Sequence, residues 1–202
     1  MKQHDFKDRL AFSEGVEMGG DVLSRIAEMV PNATSILRAE VEDDRNGTDY
    51  WIERTHGLPP VSIDVKHRSF CPIERWQSDD ACIETTSVYK GEQQPWDDAL
   101  RVKVGWTLNY AKRTDFIVYT WPTADGGTRF WTVPFLPLCA ASRANWRAWA
   151  AQYKERPAGN FGYLTLNTYP PRVVIVGAMR KFMAGFVEPA KRTPLDELPV
   201  PF

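Results

Sequence analysis

The sequence predicts a single α/β domain, of the α+β kind, in which a mixed β-sheet is flanked by helices. Two observations carry this prediction: a helical segment precedes a run of strand-like segments, and further helix and strand follow them. The 202 residues, of which 43% are apolar and 25% charged, suit one domain with a substantial core. We find neither an internal repeat nor a linker long enough to separate domains.

The first half of the chain reads as one helix followed by four strands. Apolar residues in 8–30 recur at helical intervals, and Pro31-Asn32 ends that helix. Turn signals at Asn46-Gly47 and Pro59-Pro60 separate the strands that follow. Because Asn-Gly suits a tight turn, the strands on either side of it are expected to pair antiparallel. The four predicted strands are 34–41, 50–54, 61–68 and 81–89.

The second half is predicted to alternate strand and helix. Residues 95–113 stay open, because 97–103 suit a short helix that Gly105-Trp106 would interrupt. Strands 116–121 and 129–135 flank a turn at 124–127, and the aromatic residues of 140–153 share one helical side. Three further predictions complete the chain: strands at 163–168 and 172–177, and an irregular tail from residue 188 with four prolines.

Charge, cysteines and apolar runs limit the class of protein. A net charge of −1 excludes a uniformly basic coat protein for nucleic acid but permits a local basic groove. The three cysteines lack CxxC spacing, which disfavours a disulfide framework or a zinc knuckle and suits a reducing cytoplasm. The N-terminal MKQHDFKDRL lacks the apolar stretch of a signal peptide, and no apolar run approaches the roughly 20 residues of a membrane span. We therefore expect a soluble, cytoplasmic protein with no membrane partner.

Residues 61–68, VSIDVKHR, form the most informative strand. Its residues alternate between an apolar face and a polar face. Asp64 and Lys66 stand on the polar face, about 7 Å apart along the strand. Taken alone, this acid and base are explained by a solvent-facing ion pair worth about 0.5 kcal/mol. The two faces are Val61, Ile63 and Val65, and Ser62, Asp64 and Lys66.

Asp49, in GTDYWIER, changes that interpretation. If strands 50–54 and 61–68 form a hairpin, Asp49 and Asp64 come to the same end of the sheet. Neighbouring carboxylates repel each other unless Lys66 or a bound cation compensates. Mg²⁺ prefers carboxylate oxygens and keeps waters, one of which can be activated as a nucleophile. The arrangement therefore predicts a centre for phosphodiester hydrolysis.

Asp49, a spacer and an apolar strand ending in Asp64-Val65-Lys66 resemble the PD-(D/E)XK nuclease superfamily, whose fold is called restriction-endonuclease-like. The predicted element order is similar to the family's helix, three strands, helix and strand. Downstream, CIETTSVYK followed by VGWTLNYAKRTDFIVYTW resembles phage and prophage members, in which Gly-Trp precedes a strand that begins with an acidic residue. The resemblance covers residues 10–122. It implies a nuclease-like domain at 1–187, followed by the proline-rich tail at 188–202.

The resemblance also implies roles for individual residues. The family's first metal-binding acid falls on Asp49, its second on Asp64 and its lysine on Lys66. The carboxylate that some members contribute from the first helix would be Glu17 or, alternatively, Glu14. All of these except the lysine are predicted ligands of Mg²⁺, for which Mn²⁺ is expected to substitute.

Four further residues near the predicted centre have a minor or purely structural predicted role. Thr48 stands where the PD-(D/E)XK motif has proline. The proline is commonly absent in the superfamily, so its absence weakens the resemblance more than it changes the predicted chemistry. Glu84, on the next strand, either adds a ligand or pairs with a neighbouring base. His67 faces away from Lys66 and is interpreted as structural. Asp115 begins a strand and is expected to cap or pair locally.

Basic residues around the centre are candidates for binding DNA. They are interleaved with Trp106 and Tyr110, a mixture that suits a phosphate backbone with bases stacked on rings. A solvated charged face explains the same pattern equally well. The set is Arg54, Lys66, Arg68, Lys90, Arg101, Lys103, Lys112 and Arg113, of which Arg68, Lys103, Lys112 and Arg113 are the predicted nucleic-acid contacts.

The leading functional prediction is a Mg²⁺-dependent deoxyribonuclease encoded by a phage or prophage. The alternative is a catalytically inactive protein of the same fold that binds nucleic acid or a host protein, for example as an inhibitor of defence. A homodimer is an additional expectation, because twofold symmetry lets one site per chain cut both strands of a duplex. The sequence leaves open DNA or RNA as the substrate, and endo- or exonucleolytic cleavage.

Overall fold

Nine strands and five α-helices organise the chain in the computed structural model, which describes residues 20–68, 70–89, 102–153, 155–158 and 163–187. In chain order the elements are α1 (Gly20–Glu28), β1 (Ala33–Arg38), α2 (Val41–Arg45), β2 (Tyr50–Arg54), β3 (Val61–His67), α3 (Pro72–Trp76), β4 (Ile83–Tyr89), β5 (Val102–Val104), a 3₁₀ helix (Trp106–Leu108), β6 (Phe116–Pro122), β7 (Thr128–Pro134), α4 (Phe135–Tyr153), β8 (Arg156–Ala158), β9 (Tyr163–Thr168) and α5 (Arg172–Val187).

The strands form two sheets, which confirms the predicted mixed α/β class. The first sheet has the order β1-β2-β3-β6-β7, and the second has the order β5-β4-β9-β8. In the first sheet β3 and β6 are parallel, whereas the other neighbours are antiparallel. A parallel pair needs a long crossover. Here the crossover contains α3, β4, β5 and the 3₁₀ helix. It therefore includes two of the four strands of the second sheet.

The predicted antiparallel pairing of β1 with β2 is confirmed, but the connection between them is longer than a two-residue turn. Helix α2 lies in it, and Asn46-Gly47 follows that helix. Gly47 has φ +96°, a conformation that glycine adopts without the steric cost of a Cβ. The Asn-Gly pair therefore redirects the chain from α2 into β2.

Both faces of β3 are buried. Val61 and Ile63 pack with Val22 and Ile26 of α1 in one apolar cluster. The opposite face of the first sheet contributes Ile117, Tyr119 and Trp121 of β6 to a second cluster, which includes residues of α4 and α5. Central strands of a sheet covered on both sides have no solvent-facing side. The solvent-facing interpretation of the polar face of β3 is accordingly wrong, because Ser62 and Asp64 are buried there.

Residues 172–177 are helical, so the predicted strand there is wrong. The run Val173-Val174-Ile175-Val176 favours a strand by local propensity. In the structure the Pro171 carbonyl accepts the first amides of α5, and Ile175 and Met179 become buried one helical turn apart. Packing of α5 against α4 therefore outweighs the β-branched run.

Several other predictions are refined. The predicted strand 163–168 is confirmed as β9, and helix α4 begins at Phe135 rather than at residue 140. The open segment 95–113 contains β5 and the 3₁₀ helix in its described part. The helix predicted for 8–30 is described only from Gly20, and its earlier part and the tail from residue 188 lie outside the described residues. No helix within the described ranges is long and apolar enough to cross a membrane.

Candidate active site

The β2–β3 hairpin brings Asp49 opposite Asp64, as the sequence predicts. The register pairs Tyr50 with Ile63, and the Asp49 amide donates to the Ile63 carbonyl at 2.8 Å. Asp49 Oδ2 accepts the Val65 amide at 2.6 Å, which holds this carboxyl group against β3. The carboxyl groups of Asp49 and Asp64 lie within hydrogen-bonding reach of each other.

Two lysines contact Asp64. Lys66 Nζ donates to Asp64 Oδ1 at 2.7 Å. Lys112 Nζ lies 2.9 Å from Asp64 Oδ2, an ion pair that lacks the alignment of a hydrogen bond. The Asp64 side chain is 2% exposed and that of Lys112 is 7% exposed, whereas Lys66 keeps 31%. We call these four residues, Asp49, Asp64, Lys66 and Lys112, the acidic centre.

Lys112 reaches the acidic centre through a gap left by Gly47. A Cβ at Gly47 would lie 2.2 Å from Lys112 Nζ and 2.8 Å from its Cγ. The loop that carries Lys112 is tied to the same turn, because the Arg113 amide donates to the Asn46 carbonyl at 3.0 Å. Thr48 Oγ1 also donates to the Arg113 carbonyl. The turn that the sequence marks between strands thus also admits a lysine to the centre.

Trp106 covers both lysines. Lys66 Nζ lies 5.1 Å and Lys112 Nζ 5.8 Å from the centroid of its ring, within the range of cation–π attraction. Glu84 Oε1 accepts the Trp106 amide at 3.3 Å, and Gly105 places the chain so close to β4 that a Cβ there would meet the Glu84 carbonyl oxygen at 2.2 Å. The second sheet therefore sets the position of the ring over the centre.

The pKa of Asp49 shows the crowding of the centre. Burial, and after it the neighbouring Asp64 charge, raise this pKa to about 6, although Lys66 and the Val65 amide act in the opposite direction. Burial of an acid beside a second carboxylate explains the direction. A cation bound at the two carboxylates would lower this pKa.

The two lysines respond in opposite ways. Burial lowers the pKa of Lys66, but the charges of Asp64, Asp49 and Glu84 outweigh burial and the net pKa is raised. For Lys112, burial and the Lys66 charge lower the pKa and outweigh the two aspartates. Lys66 is therefore a stable ammonium group at neutral pH and is not suited to accept a proton. Glu84, for which the sequence left two interpretations, adds charge beside Lys66.

The structure describes only some of the remaining predicted residues. Arg68 is ion-paired with Asp80 at 2.8 Å, and Arg113 is exposed. Lys103 lies on β5, and its side chain is outside the described part of the chain. The helix carboxylates Glu14 and Glu17 lie outside the described residues, as do Lys90 and Arg101.

Two residues interpreted as structural make local contacts. Asp115 Oδ2 accepts from the Ser62 amide at 2.8 Å and from its hydroxyl at 2.9 Å. His67 Nδ1 pairs with Thr120 Oγ1 at 2.9 Å, across the parallel β3–β6 pair. The first contact ties β3 to Asp115, the residue before β6, and the second ties β3 to β6 itself. Together they stabilise the strand that carries Asp64.

The sequence did not indicate that Lys112 contacts Asp64, because it placed this lysine among the basic residues around the centre, as a nucleic-acid contact. Its distance in the chain from β3 and the absence of a local pattern explain the omission. Trp106 was recognised only as an aromatic residue among basic ones, without its contact to Lys66. The ion pair of Arg68 with Asp80 was also missed.

The donor set fits a hard divalent cation. Among the described residues no group of three or more His, Cys, Asp or Glu side chains is arranged to hold a metal ion. Mg²⁺ does not require such a cage, since it keeps several waters and is commonly held by one or two carboxylates together with substrate phosphates. Asp49 and Asp64, held side by side with the Asp49 pKa raised, provide two such carboxylates.

Comparison of the chain with protein-family models, with curated proteins and with solved structures finds no match. The resemblance to nucleases therefore rests on the sequence motif.

Proposed function

We propose that this chain is a Mg²⁺-dependent phosphodiester hydrolase that acts on DNA, with a centre of the PD-(D/E)XK type. The observation that carries the proposal is the convergence of Asp49, Asp64 and Lys66 on one buried face of a sheet. A purely structural ion pair is complete with one acid and one base. Here Lys112 balances the second carboxylate in number, but the raised pKa of Asp49 means that its ionised form raises the free energy of the folded protein, which function, rather than folding, would explain.

Each residue of the centre has a role that follows from its environment. Asp49 and Asp64 would hold the Mg²⁺, or Mn²⁺ in its place, and the bound ion would supply neutralisation of phosphate charge and an acidified water. Lys66, kept protonated, would orient the attacking water and stabilise the negative charge that develops on the phosphate. Lys112 adds a second positive charge next to Asp64. Glu17, which the resemblance implies as a helix carboxylate, lies outside the described residues and is the proposed assisting acid.

Further parts of the proposal rest on the resemblance alone. We place the protein in a phage or prophage and its action in the host cytoplasm, with a homodimer as the arrangement that cuts both strands of a duplex. Arg68, Lys103, Lys112 and Arg113 remain the proposed DNA contacts. Of these, Arg113 is exposed and directly follows Lys112 of the acidic centre in the chain.

The test is a cleavage assay on single-stranded, duplex and branched DNA with Mg²⁺ or Mn²⁺. We expect Asp64→Asn and Lys66→Met each to lower the rate by at least about 100-fold, because each removes a charge that acts on the reacting phosphate. Glu28→Gln is the matched control, since Glu28 is exposed on α1 at the opposite face of the first sheet. It should cleave at the wild-type rate. Equal cleavage by wild type, Asp64→Asn and Lys66→Met would show that the centre is not catalytic.

A second candidate function is favoured by one specific observation. Both oxygens of Asp64 already contact lysines, so the structure partly compensates the acid pair without a cation. This suits a catalytically inactive protein of the same fold that binds nucleic acid or a host protein, such as an inhibitor of defence. Calorimetric titration with Mg²⁺ separates the two functions. Heat of binding that disappears in Asp64→Asn supports the hydrolase, whereas no binding together with tight association with a protein partner supports the second candidate.

A further inference from the structure

A cavity of about 360 Å³ opens beside Arg68, the residue that follows β3. Its volume falls in the range of small-ligand pockets. Aromatic rings form most of its wall, together with the charged side chains of Arg68 and Asp80. We call this cavity the aromatic pocket; its rings are those of Phe70, Trp76, Tyr153 and Tyr169.

The walls of the aromatic pocket suit a flat ring. Phe70 and Trp76 meet edge to face, with centroids 4.7 Å apart and planes at 69°. Trp76 is 47% exposed, so part of this large apolar ring stands open at the rim. Tyr153 and Tyr169 line other parts of the wall. Burial raises the pKa of Tyr169 to about 12, so its hydroxyl stays protonated.

The charge in the aromatic pocket is balanced. Arg68 Nη1 lies 2.8 Å from Asp80 Oδ1, and the two side chains are only 11% and 7% exposed. The guanidinium group also lies 5.3 Å from the Phe70 centroid and 5.1 Å from the Tyr169 centroid. A neutral, close pair of this kind presents both a donor and an acceptor but no net charge for a phosphate. The lining Arg68–Asp80 pair therefore suits an uncharged polar ring, whereas the exposed Arg75, 4.8 Å from the Phe70 centroid and 5.3 Å from the Trp76 centroid, adds a positive charge beside these two rings.

The aromatic pocket and the acidic centre lie along one strand. The Arg68 amide donates to the Thr120 carbonyl at 3.0 Å, which continues the β3–β6 ladder by one residue. Because side chains alternate, Asp64, Lys66 and Arg68 share a face, and Arg68 is about 7 Å beyond Lys66. That distance is about two base-stacking steps of one DNA strand. A strand with a phosphate at Lys66 can therefore present a nearby base to the pocket.

We propose that the aromatic pocket binds one unpaired nucleobase of a DNA strand whose backbone lies at the acidic centre. The ring of Trp76 stacks on the base, Phe70 borders it at a steep angle to the Trp76 plane, and the Arg68–Asp80 pair offers a donor and an acceptor to its polar edge. This inference rests on the proposed function and adds a substrate class to it: single-stranded DNA, or DNA with an unpaired base near the cleavage site. A base held in a duplex cannot enter without unpairing.

The test measures binding without cleavage. A short single strand that carries 2-aminopurine at one position is titrated with the full-length protein in EDTA, and quenching of the 2-aminopurine reports stacking. We expect quenching by wild type and an affinity for the probe that falls about tenfold in Trp76→Ala, because the base loses its stacking ring. An unlabelled competitor strand with an abasic residue at that position should likewise displace the probe about tenfold less well than one with the base. Trp76→Phe should restore most of the affinity.

A matched control is Trp146→Ala. Trp146 is a half-buried tryptophan on α4 that contacts Arg147 at 4.9 Å and does not line the pocket. Equal affinities for wild type, Trp76→Ala and the abasic strand overturn the inference, as does an equal loss in Trp146→Ala.

Failure of the pocket and failure of the hydrolase are separable. If Trp76→Ala cleaves duplex and single-stranded DNA with unchanged KM, and binding is also unchanged, the pocket is refuted while the hydrolase stands. If Asp64→Asn quenches 2-aminopurine as wild type does but wild type cleaves no DNA with Mg²⁺ or Mn²⁺, the pocket stands and the hydrolase is refuted.

Discussion

Two buried ionic clusters lie along the same face of β3, and they are built differently. The acidic centre holds two carboxylates and two ammonium groups within contact of Asp64. Two residues further along, Arg68 and Asp80 form a one-to-one pair at 2.8 Å. In the pair each charge has its partner. In the acidic centre the charges balance in number, yet among the described residues no lysine forms an ion pair with Asp49, whose pKa is raised to about 6.

This difference separates structural from chemical uses of buried charge. A one-to-one pair is costly to break, because either partner alone would be an uncompensated buried charge. Crowded carboxylates carry a repulsion that a substitution can remove. Removal of one acid should therefore have opposite effects on the stability of the two clusters.

The largest effect on stability is expected at the Arg68–Asp80 pair. Asp80→Asn should lower the free energy of unfolding by about 3 kcal/mol, because Arg68 would keep its charge in a buried position. Urea denaturation followed by circular dichroism measures this change. Asp79→Asn is the matched control: Asp79 pairs with Arg172 at 2.6 Å but is 51% exposed, so its loss should cost less than about 1 kcal/mol. Similar losses in both variants would mean that burial does not make the Arg68–Asp80 pair more important for stability than the exposed pair.

Asp49→Asn should stabilise the metal-free protein at pH 7.5, by about 1–2 kcal/mol. The shift of the Asp49 pKa from 3.8 to about 6 implies somewhat more. Solvent screening and a weaker hydrogen bond to the Val65 amide reduce the gain. Urea denaturation in EDTA measures it, and loss of stability in Asp49→Asn would contradict the crowding of the acidic centre.

The same residue predicts the sign of a pH dependence. Since the folded-state pKa of Asp49 is raised above its unfolded value, the folded state binds more protons between pH 4 and 6. Its contribution to stability is complete below about pH 4 and is lost as the pH rises through about 6. In EDTA, the difference in stability between wild type and Asp49→Asn should therefore widen from pH 4 to pH 7. A difference that is constant over this range would contradict the raised pKa.

Gly47→Ala should destabilise the protein by about 1 kcal/mol through backbone strain at φ +96° and should also displace Lys112 from Asp64. Gly57→Ala is a close control, because Gly57 has φ +65° but no neighbouring atom within 4 Å of an added Cβ. Both variants should lose stability in thermal unfolding. Only Gly47→Ala should alter the pH dependence of stability or the DNA cleavage rate; a similar alteration in Gly57→Ala would mean that the Lys112 contact is unimportant.

The smallest effect is expected for Lys112→Met. This change removes a positive charge 2.9 Å from Asp64 Oδ2, so Mg²⁺ should bind several-fold more tightly, while Met preserves much of the buried volume. Calorimetry with Mg²⁺ measures the Kd. Arg113→Met, in the same loop but exposed, should leave the Kd unchanged. Weaker binding of Mg²⁺ by Lys112→Met would show that Lys112 supports the cation site instead of competing with it.

Local patterns predicted the parts of the fold in which neighbouring residues determine the outcome. The alternation in 61–68 predicted β3, and the hairpin argument brought Asp49 to Asp64, because antiparallel pairing follows from chain direction. The β-branched run of 173–176 predicted a strand wrongly, because here residues distant in the chain determine the outcome. Its helical state depends on contacts with α4, which the run itself does not encode.

The sequence by itself determined the alternation of β3, the opposition of two aspartates and the presence of Lys66 two residues after Asp64. Only the tertiary structure decided that the polar face of β3 is buried, that Lys112 reaches Asp64 past Gly47, and that Trp106 covers both lysines. It also decided that Arg68 and Asp80 line the aromatic pocket. The physical reason is range: strand alternation and hairpin pairing act over a few residues, whereas burial and the charges that shift a pKa come from segments distant in the chain.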